Sequence, residues 1–393
     1  MAFDLSEEER MALDSLRRCV ETEVLPRARP AWDSAFSPAL AHELLALVHP
    51  CGIGAGWLPE DAGGMGLSYR MSGLLYGALA RLAPDVAGLA YVSEGAAMKI
   101  HKLGTEAQKA RYLPGFAEGR LLGCGAVTEP GTGSNVRQMR TRAVRDGTGW
   151  RLSGEKMFIS NATVADVVTL LARTGENRFT YFLLDRNEHD FATRELDKLG
   201  LNGWSFGAIA LEDLYVEDAF RLGEVGGGLR EALSGFERAR VWVAVIAAGI
   251  ARAALDDAVA YAGERDQFGV PIAAHQLVQG MLADMACETE AADLLTLKAL
   301  HALDAGGRAD LPASMAKAYA AEAAVRVASR AIQIHGANGV TGDYPVERHF
   351  RNARMLTIPD GTTQINQLIV GRELTGVAAF LGAAGQRMPQ AAE

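Results

Sequence analysis

The chain has 393 residues, 49% hydrophobic and 22% charged, proportions that allow a large buried core in two or three packed regions. Its formal net charge of −9 argues against a general nucleic-acid or anionic-membrane binder, since either requires a basic surface. Cys19, Cys51, Cys124 and Cys287 lie far apart and form no CxxC pair, which speaks against a disulfide framework or zinc site and for a reducing cytoplasm.

The chain opens on acidic residues where a targeting signal would be basic. Ser6 before Glu7, Glu8 and Glu9 reads as a helix N-cap with acidic residues in the first turn. Met11, Leu13, Leu16 and Val20 follow as an apolar stripe at helical spacing. Leu58 to Gly66, with a proline and three glycines, reads as a loop. Helical texture rich in Ala, Leu, Glu and Arg continues to Leu122, giving an N-terminal helical domain over 1–122.

From 123 to 227 the texture becomes β. Thr141 to Arg145, the turn Asp146 to Gly149, and Trp150 to Ser153 predict a hairpin. Val167 to Leu171, Phe179 to Leu184 and Ala208 to Val216 are runs of strand length. From 228 to 393 helices return, predicted over Phe236 to Glu264, His275 to Ala305, Pro312 to His335 and Leu356 to Leu374, with Gly385 to Glu393 as a frayed tail. The fold class is therefore α+β and mostly α: a helical domain, a central β-barrel-like or sandwich domain, and a C-terminal four-helix bundle. Val241 to Ile250, the longest strongly apolar stretch, is about half of what a bilayer crossing requires, so a soluble chain is expected.

Familiar catalytic constellations are absent. The sequence contains no GxGxxG opening a helix after a strand, no GxxxxGK[ST] loop, no GxSxG elbow and no HExxH pair. Glu188-His189-Asp190 reads as a solvated loop rather than a metal site. Two segments carry more information, Cys124 to Asn135 and Trp150 to Asn161. The first is turn-rich, with clustered hydroxyls and glycines that let a backbone approach a polar heterocycle or a phosphate.

Both segments resemble the β-domain signatures of acyl-CoA dehydrogenases, and the resemblance extends over nearly the whole chain. Leu58 to Gly66 is similar to that family's N-terminal loop, Arg265 to Gly269 with Gln276 to its helical flavin segment. Ala331 to Gly339, Tyr344 to Arg348 and Asp360 to Gln364 are similar to its C-terminal signatures. The resemblance implies FAD as cofactor. Val127 and Thr128 would lie against the flavin, Phe158 would cover the ring, and Ser160 would sit near the hydride-accepting N5. Ser134 would lie near both flavin and acyl chain. Arg265, Gln267, Phe268, Gln333 and Gly336 would contact the FAD of a neighbouring subunit, which implies an oligomer, usually a tetramer and otherwise a dimer. Gln276, Thr362 and Gln364 would complete the cofactor shell. Taken singly, Phe158 reads as a core aromatic and Arg265 as a solvated helix-end charge. A guanidinium fork also suits a pyrophosphate.

The implied reaction takes hydrogen from the α and β carbons of an acyl thioester, carried by CoA or by an acyl carrier protein, and passes electrons to a carrier such as electron-transfer flavoprotein. It needs a carboxylate for the α-proton and hydrogen bonds that polarise the thioester carbonyl. The main family branch supplies a glutamate in a Tyr-Glu-Gly-Thr sequence, matched here by Pro359-Asp360-Gly361-Thr362. A second branch carries its glutamate at the position of Ala239, which cannot act as a base. Asp360 is the matching carboxylate left, with Gly361 beside the substrate; the bland alternative is an aspartate capping a turn. Aspartate is shorter than glutamate by one methylene, about 1.5 Å. Such a retreat suits a closer loop, a substrate bulkier near Cα, or a more acidic α-proton. Glu237 and Arg240 match positions that approach the substrate, and the same pair also reads as helix-start charges. Ala337 departs from a family glycine beside the FAD. Two other readings stand beside this one: a nitroalkane-oxidase-like or other oxygen-using relative, and a binding protein on the same scaffold without catalysis.

Overall fold

A computed structural model describes residues 4–379, so the tail from Gly385 to Glu393 lies outside the described residues. The chain divides between Gly235 and Phe236 into two compact units.

The first unit opens on α1 (Glu7–Cys19). Its predicted cap is present as a reciprocal box, with Glu9 N donating to Ser6 Oγ at 3.1 Å and Ser6 N to the Glu9 carboxylate at 2.8 Å. Leu16 and Val20 are fully buried, but Met11 is 67% exposed. At about 100° per residue Met11 lies roughly 140° around the helix from Leu16, off the buried stripe. A π-helical turn, Val20–Val24, leads into α2 (Leu25–Ala28). Then follow α3 (Pro38–Val48), α4 (Tyr69–Leu82), α5 (Pro84–Leu103) and α6 (Glu106–Ala117). Ser37, Ser68 and Thr105 each cap one of them through a side-chain oxygen. The predicted loop from Leu58 to Gly66 folds back on itself so tightly that a Cβ on Gly64 would lie 2.2 Å from Leu58 O.

The β part has eight strands: β1 (Gly123–Ala126), β2 (Arg142–Asp146), β3 (Gly149–Ser160), β4 (Val167–Gly175), β5 (Arg178–Asp185), β6 (Ala192–Glu195), β7 (Phe206–Glu217) and β8 (Arg221–Leu222). The sheet order is β6-β7-β3-β2-β4-β5-β8, and β1 pairs parallel to β4. The predicted hairpin is β2–β3, closed at Asp146 and Gly149 with Gly147 at φ +54°. One sheet face buries Cys124, Ala126, Leu152, Leu170, Phe182 and Ile209 in a common core. His189, expected in a solvated loop, is instead buried, its ring edge-on to Phe220 at 4.6 Å. Arg111 reaches its neighbours Asp185 and Glu188, which anchors the loop to α6. No metal-holding group of His, Cys, Asp or Glu occurs among the described residues.

Helix α7 (Gly228–Glu264) begins in the first unit and carries the chain into the second. A small hairpin, β9 (Asp266–Gln267) with β10 (Val270–Pro271), precedes α8 (Gln276–Asp304) and α9 (Asp310–His335). Helix α9 packs against α8, α10 (Val346–Leu356) and α11 (Thr363–Thr375). Trp242, 2% exposed on α7, is the one tryptophan after Gly235. The single helix expected from Leu356 to Leu374 is not formed. Leu356 ends α10, and residues 357–362 separate it from α11. Pro359 has no N–H to continue a helix, and Asp360 and Gly361 take φ of +54° and +94°, outside helical space. Among the described residues no helix is long and apolar enough to cross a membrane.

Candidate active site

The two informative β segments meet through a buried ion pair. Lys156 on β3 is fully buried, and its Nζ donates to Val127 O and to Glu129 Oε1, each at 2.9 Å. Glu129 also accepts from Arg140 N at 2.6 Å and Thr141 N at 2.9 Å. Burial pulls the Lys156 pKa down to about 8 against the pull of Glu129. Burial pushes the Glu129 carboxyl up, but Lys156 and the backbone donors outweigh it and hold the group below its usual range. Met157 N completes the seam by donating to Thr128 O at 3.0 Å. Val127 and Thr128 are therefore tied to Lys156 and Met157, the two residues that precede Phe158.

Phe158 stands at φ +62°, half exposed, its ring stacked on Phe206 at 5.8 Å. Next comes fully buried Asn161, whose amide donates to Leu89 O and Gly123 O and accepts from Trp204 Nε1. That one side chain ties the end of β3 to the start of β1 and to α5. The Thr128 and Ser160 hydroxyls, both half-buried, make no hydrogen bond among the described residues, and Ser134 is exposed in the loop above. A presented aromatic face with two uncommitted hydroxyls beside it fits a flat heteroaromatic group with polar edges. The donor set fits a flavin.

In the second unit, Asp360 lies in the turn between α10 and α11. Arg240 on α7 donates from Nε to Asp360 O at 3.3 Å and pairs with Asp310 at 3.6 Å. Burial lowers the Arg240 pKa while Asp310, Asp360 and Glu237 oppose the shift. Glu237 accepts from Ala309 N. Because α7 starts at Gly228 rather than at the expected Phe236, Glu237 and Arg240 lie more than two turns inside the helix and are not helix-start charges. Thr362 caps α11, its Oγ1 accepting from Ile365 N at 3.3 Å. Lys317 on α9 and Asn366 on α11, both buried, bond the Gly361 carbonyl at 2.7 and 2.8 Å.

The remaining expected cofactor residues are spread over the surface of this unit. Arg265 and Gln267 are exposed at the β9–β10 hairpin, and Phe268 at its tip is 94% exposed. Gln276 and Gln364 are exposed at the starts of α8 and α11, and Gln333 near the end of α9. Gly336 follows at φ +60°, ψ −132°, a conformation reserved for glycine, and Ala337 beside it is exposed. Gln333 is sixteen positions from Lys317 on one helix, about 24 Å along its axis. The structure thus brings Arg240, Asp360 and Gly361 together and leaves Gln333 and Gly336 at the far end.

Family models for the N-terminal, middle and C-terminal domains of acyl-CoA dehydrogenase match residues 6–120, 124–214 and 226–375. The chain belongs to the acyl-CoA dehydrogenase family. It is 34% identical to cyclohex-1-ene-1-carbonyl-CoA dehydrogenase of Syntrophus aciditrophicus, over 94% of this chain and 91% of that one. The structure of butyryl-CoA dehydrogenase from Megasphaera elsdenii superposes with a TM-score of 0.90 at 32% identity, covering 95% and 100% of the two chains. That of a glutaryl-CoA dehydrogenase from Mycobacterium smegmatis in complex with FADH2 gives 0.88 at 30% identity, covering 96% and 97%. As an acyl-CoA dehydrogenase-type flavoprotein oxidoreductase, the chain keeps the family's helical, β and helical order. Sequence reasoning did not single out Glu129, Lys156, Asn161, Lys317 or Asn366.

Proposed function

We propose that this acyl-CoA dehydrogenase uses the Asp360 carboxylate to take the α-proton of an acyl thioester, with CoA as the favoured carrier. FAD, when bound, supplies the acceptor for the β-hydride. Val127, Thr128, Phe158 and Ser160 would hold its ring, and Thr362 and Gln364 are the cofactor-shell residues expected from the C-terminal signature. The observation that carries this reading is the Asp360 turn: its carbonyls are tied by Lys317, Asn366 and Arg240, so the carboxylate hangs from a fixed backbone. Positioning of this kind is what proton abstraction requires, since about 1 Å of misplacement costs on the order of a hundredfold in rate. Ser134, Arg240 and Gly361 would face the substrate, and Glu237 would act on it through the backbone it braces.

The short aspartate favours a thioester that is bulky near Cα. Similarity to a dehydrogenase of a cyclic acyl-CoA supports the same substrate class. Electron-transfer flavoprotein is the proposed acceptor, and the exposed Phe268, Gln333 and Gly336 support a homotetramer that shares its cofactor contacts. A cytoplasmic location is consistent with all of this. The aspartate also leaves a nitroalkane-oxidase-like activity as the second reading.

The test is anaerobic mixing of the FAD-loaded protein with straight, branched and cyclic acyl-CoA thioesters while following loss of the oxidised-flavin absorption. Bleaching by a thioester is expected. Oxygen consumption with a nitroalkane and no bleaching by any thioester would move the assignment to the second reading. Asp360→Asn is expected to keep FAD and slow bleaching by on the order of 10²–10⁴-fold.

A further inference from the structure

Lys317 is fully buried in the middle of α9, between Ala316 and the alanines that follow. A buried ammonium is costly unless its donors are used, and here they go to backbone rather than to a carboxylate. Nζ donates to Thr357 O at 2.9 Å and to Gly361 O at 2.7 Å. These two carbonyls lie on either side of Asp360. Asn366 takes a second bond to Gly361 O and one to Thr362 O, so the turn is gripped from α9 and α11 together. The grip holds Asp360 and Gly361 in their left-handed conformations, which a free turn would not favour for aspartate.

We propose that Lys317 is a positioning residue for the reaction: by clamping the carbonyls that flank Asp360 it fixes where that carboxylate meets the substrate. The proposal rests on the reading of Asp360 as the base. The charged groups facing Lys317 are Asp360 from the turn, Glu322 on α9 and Arg240 on α7. Burial pulls the Lys317 pKa down to about 8; Asp360 and Glu322 oppose the shift and Arg240 adds to it. The charge that strengthens the clamp is therefore present below about pH 8 and lost above it.

The experiment measures flavin bleaching by a thioester in the FAD-loaded protein, together with binding of a non-oxidisable thioester analogue. Lys317→Met is expected to bind the analogue within about twofold of wild type and to bleach on the order of a hundredfold more slowly. The wild-type rate is expected to fall as pH rises through about 8. In Lys317→Arg, whose guanidinium stays charged, that alkaline fall is expected to disappear. Lys317→Met combined with Asp360→Asn is expected to be no slower than Asp360→Asn alone. An identical alkaline fall in wild type and Lys317→Arg overturns the proposal, even if Lys317→Met fails to fold. Losses that multiply in the double variant also overturn it. A slow Asp360→Asn beside an unimpaired Lys317→Met sinks this proposal alone. A wild-type rate in Asp360→Asn sinks the base reading and this proposal with it.

Discussion

Glu94 on α5 is fully buried, accepting from Trp57 N at 2.9 Å and from the Tyr76 hydroxyl at 2.6 Å. Burial is the largest influence on it and raises its pKa to about 7, against the lowering effect of those two donors. The folded protein therefore favours the protonated acid more than the unfolded chain does. Stability from that preference is complete below the ordinary value of 4.5 and is lost as pH rises through about 7. Glu94→Gln, uncharged at every pH, is expected to flatten this decline. At about pH 8 it is expected to gain on the order of 2–3 kcal/mol over wild type. Urea unfolding at about pH 5 and about pH 8 checks it, and an equal pH dependence in the two proteins would refute the assignment.

At the scale of elements, β3 carries two residues with positive φ, Gly154 and Phe158. Gly154 has φ +144°, and a Cβ there would lie 2.7 Å from the Thr141 Cα. Gly154→Ala is expected to cost roughly 1–3 kcal/mol, because the neighbour is backbone and cannot swing aside. Gly131, with open space around it and no left-handed φ, is the control. Gly131→Ala is expected to stay within about 0.5 kcal/mol in the same thermal or urea unfolding assay. Much of the element pattern was legible in the sequence: the β2–β3 hairpin from its Asp-Gly turn, and the long helices from proline-free apolar spacing. The break at residues 357–362 and helix α10 were not read out. Leu356 to Leu374 was read as one helix although Pro359 to Gln364 carries no large apolar side chain, and the Pro-Asp-Gly signal there physically ends the helix. Asp360 is proposed from its motif. Lys317 and Asn161 were not singled out, since a lysine on an alanine-rich helix reads as solvated until its acceptors are known.

For the whole molecule, the exposed apolar side chains of the second unit carry a prediction about assembly. Phe268 is 94% exposed and Leu277 84%, both close in sequence to residues proposed to reach a neighbour's cofactor. A contiguous exposed apolar patch marks a contact surface, and these two side chains are proposed to belong to one. Sedimentation is expected to show a tetramer, and Phe268→Ser with Leu277→Ser is expected to yield smaller species that lose FAD more readily. A wild-type monomer that retains FAD would remove the shared-cofactor proposal. The distribution of tryptophan has a further use. Trp32, Trp57, Trp150 and Trp204 precede Gly235, and Trp242 alone follows it. Fluorescence from Trp242→Phe would therefore come entirely from the first unit. Subtracting it from the wild-type emission during denaturation isolates the second. Coincident curves would mean that both units melt as one body, and separated curves would reveal which of them gives way first.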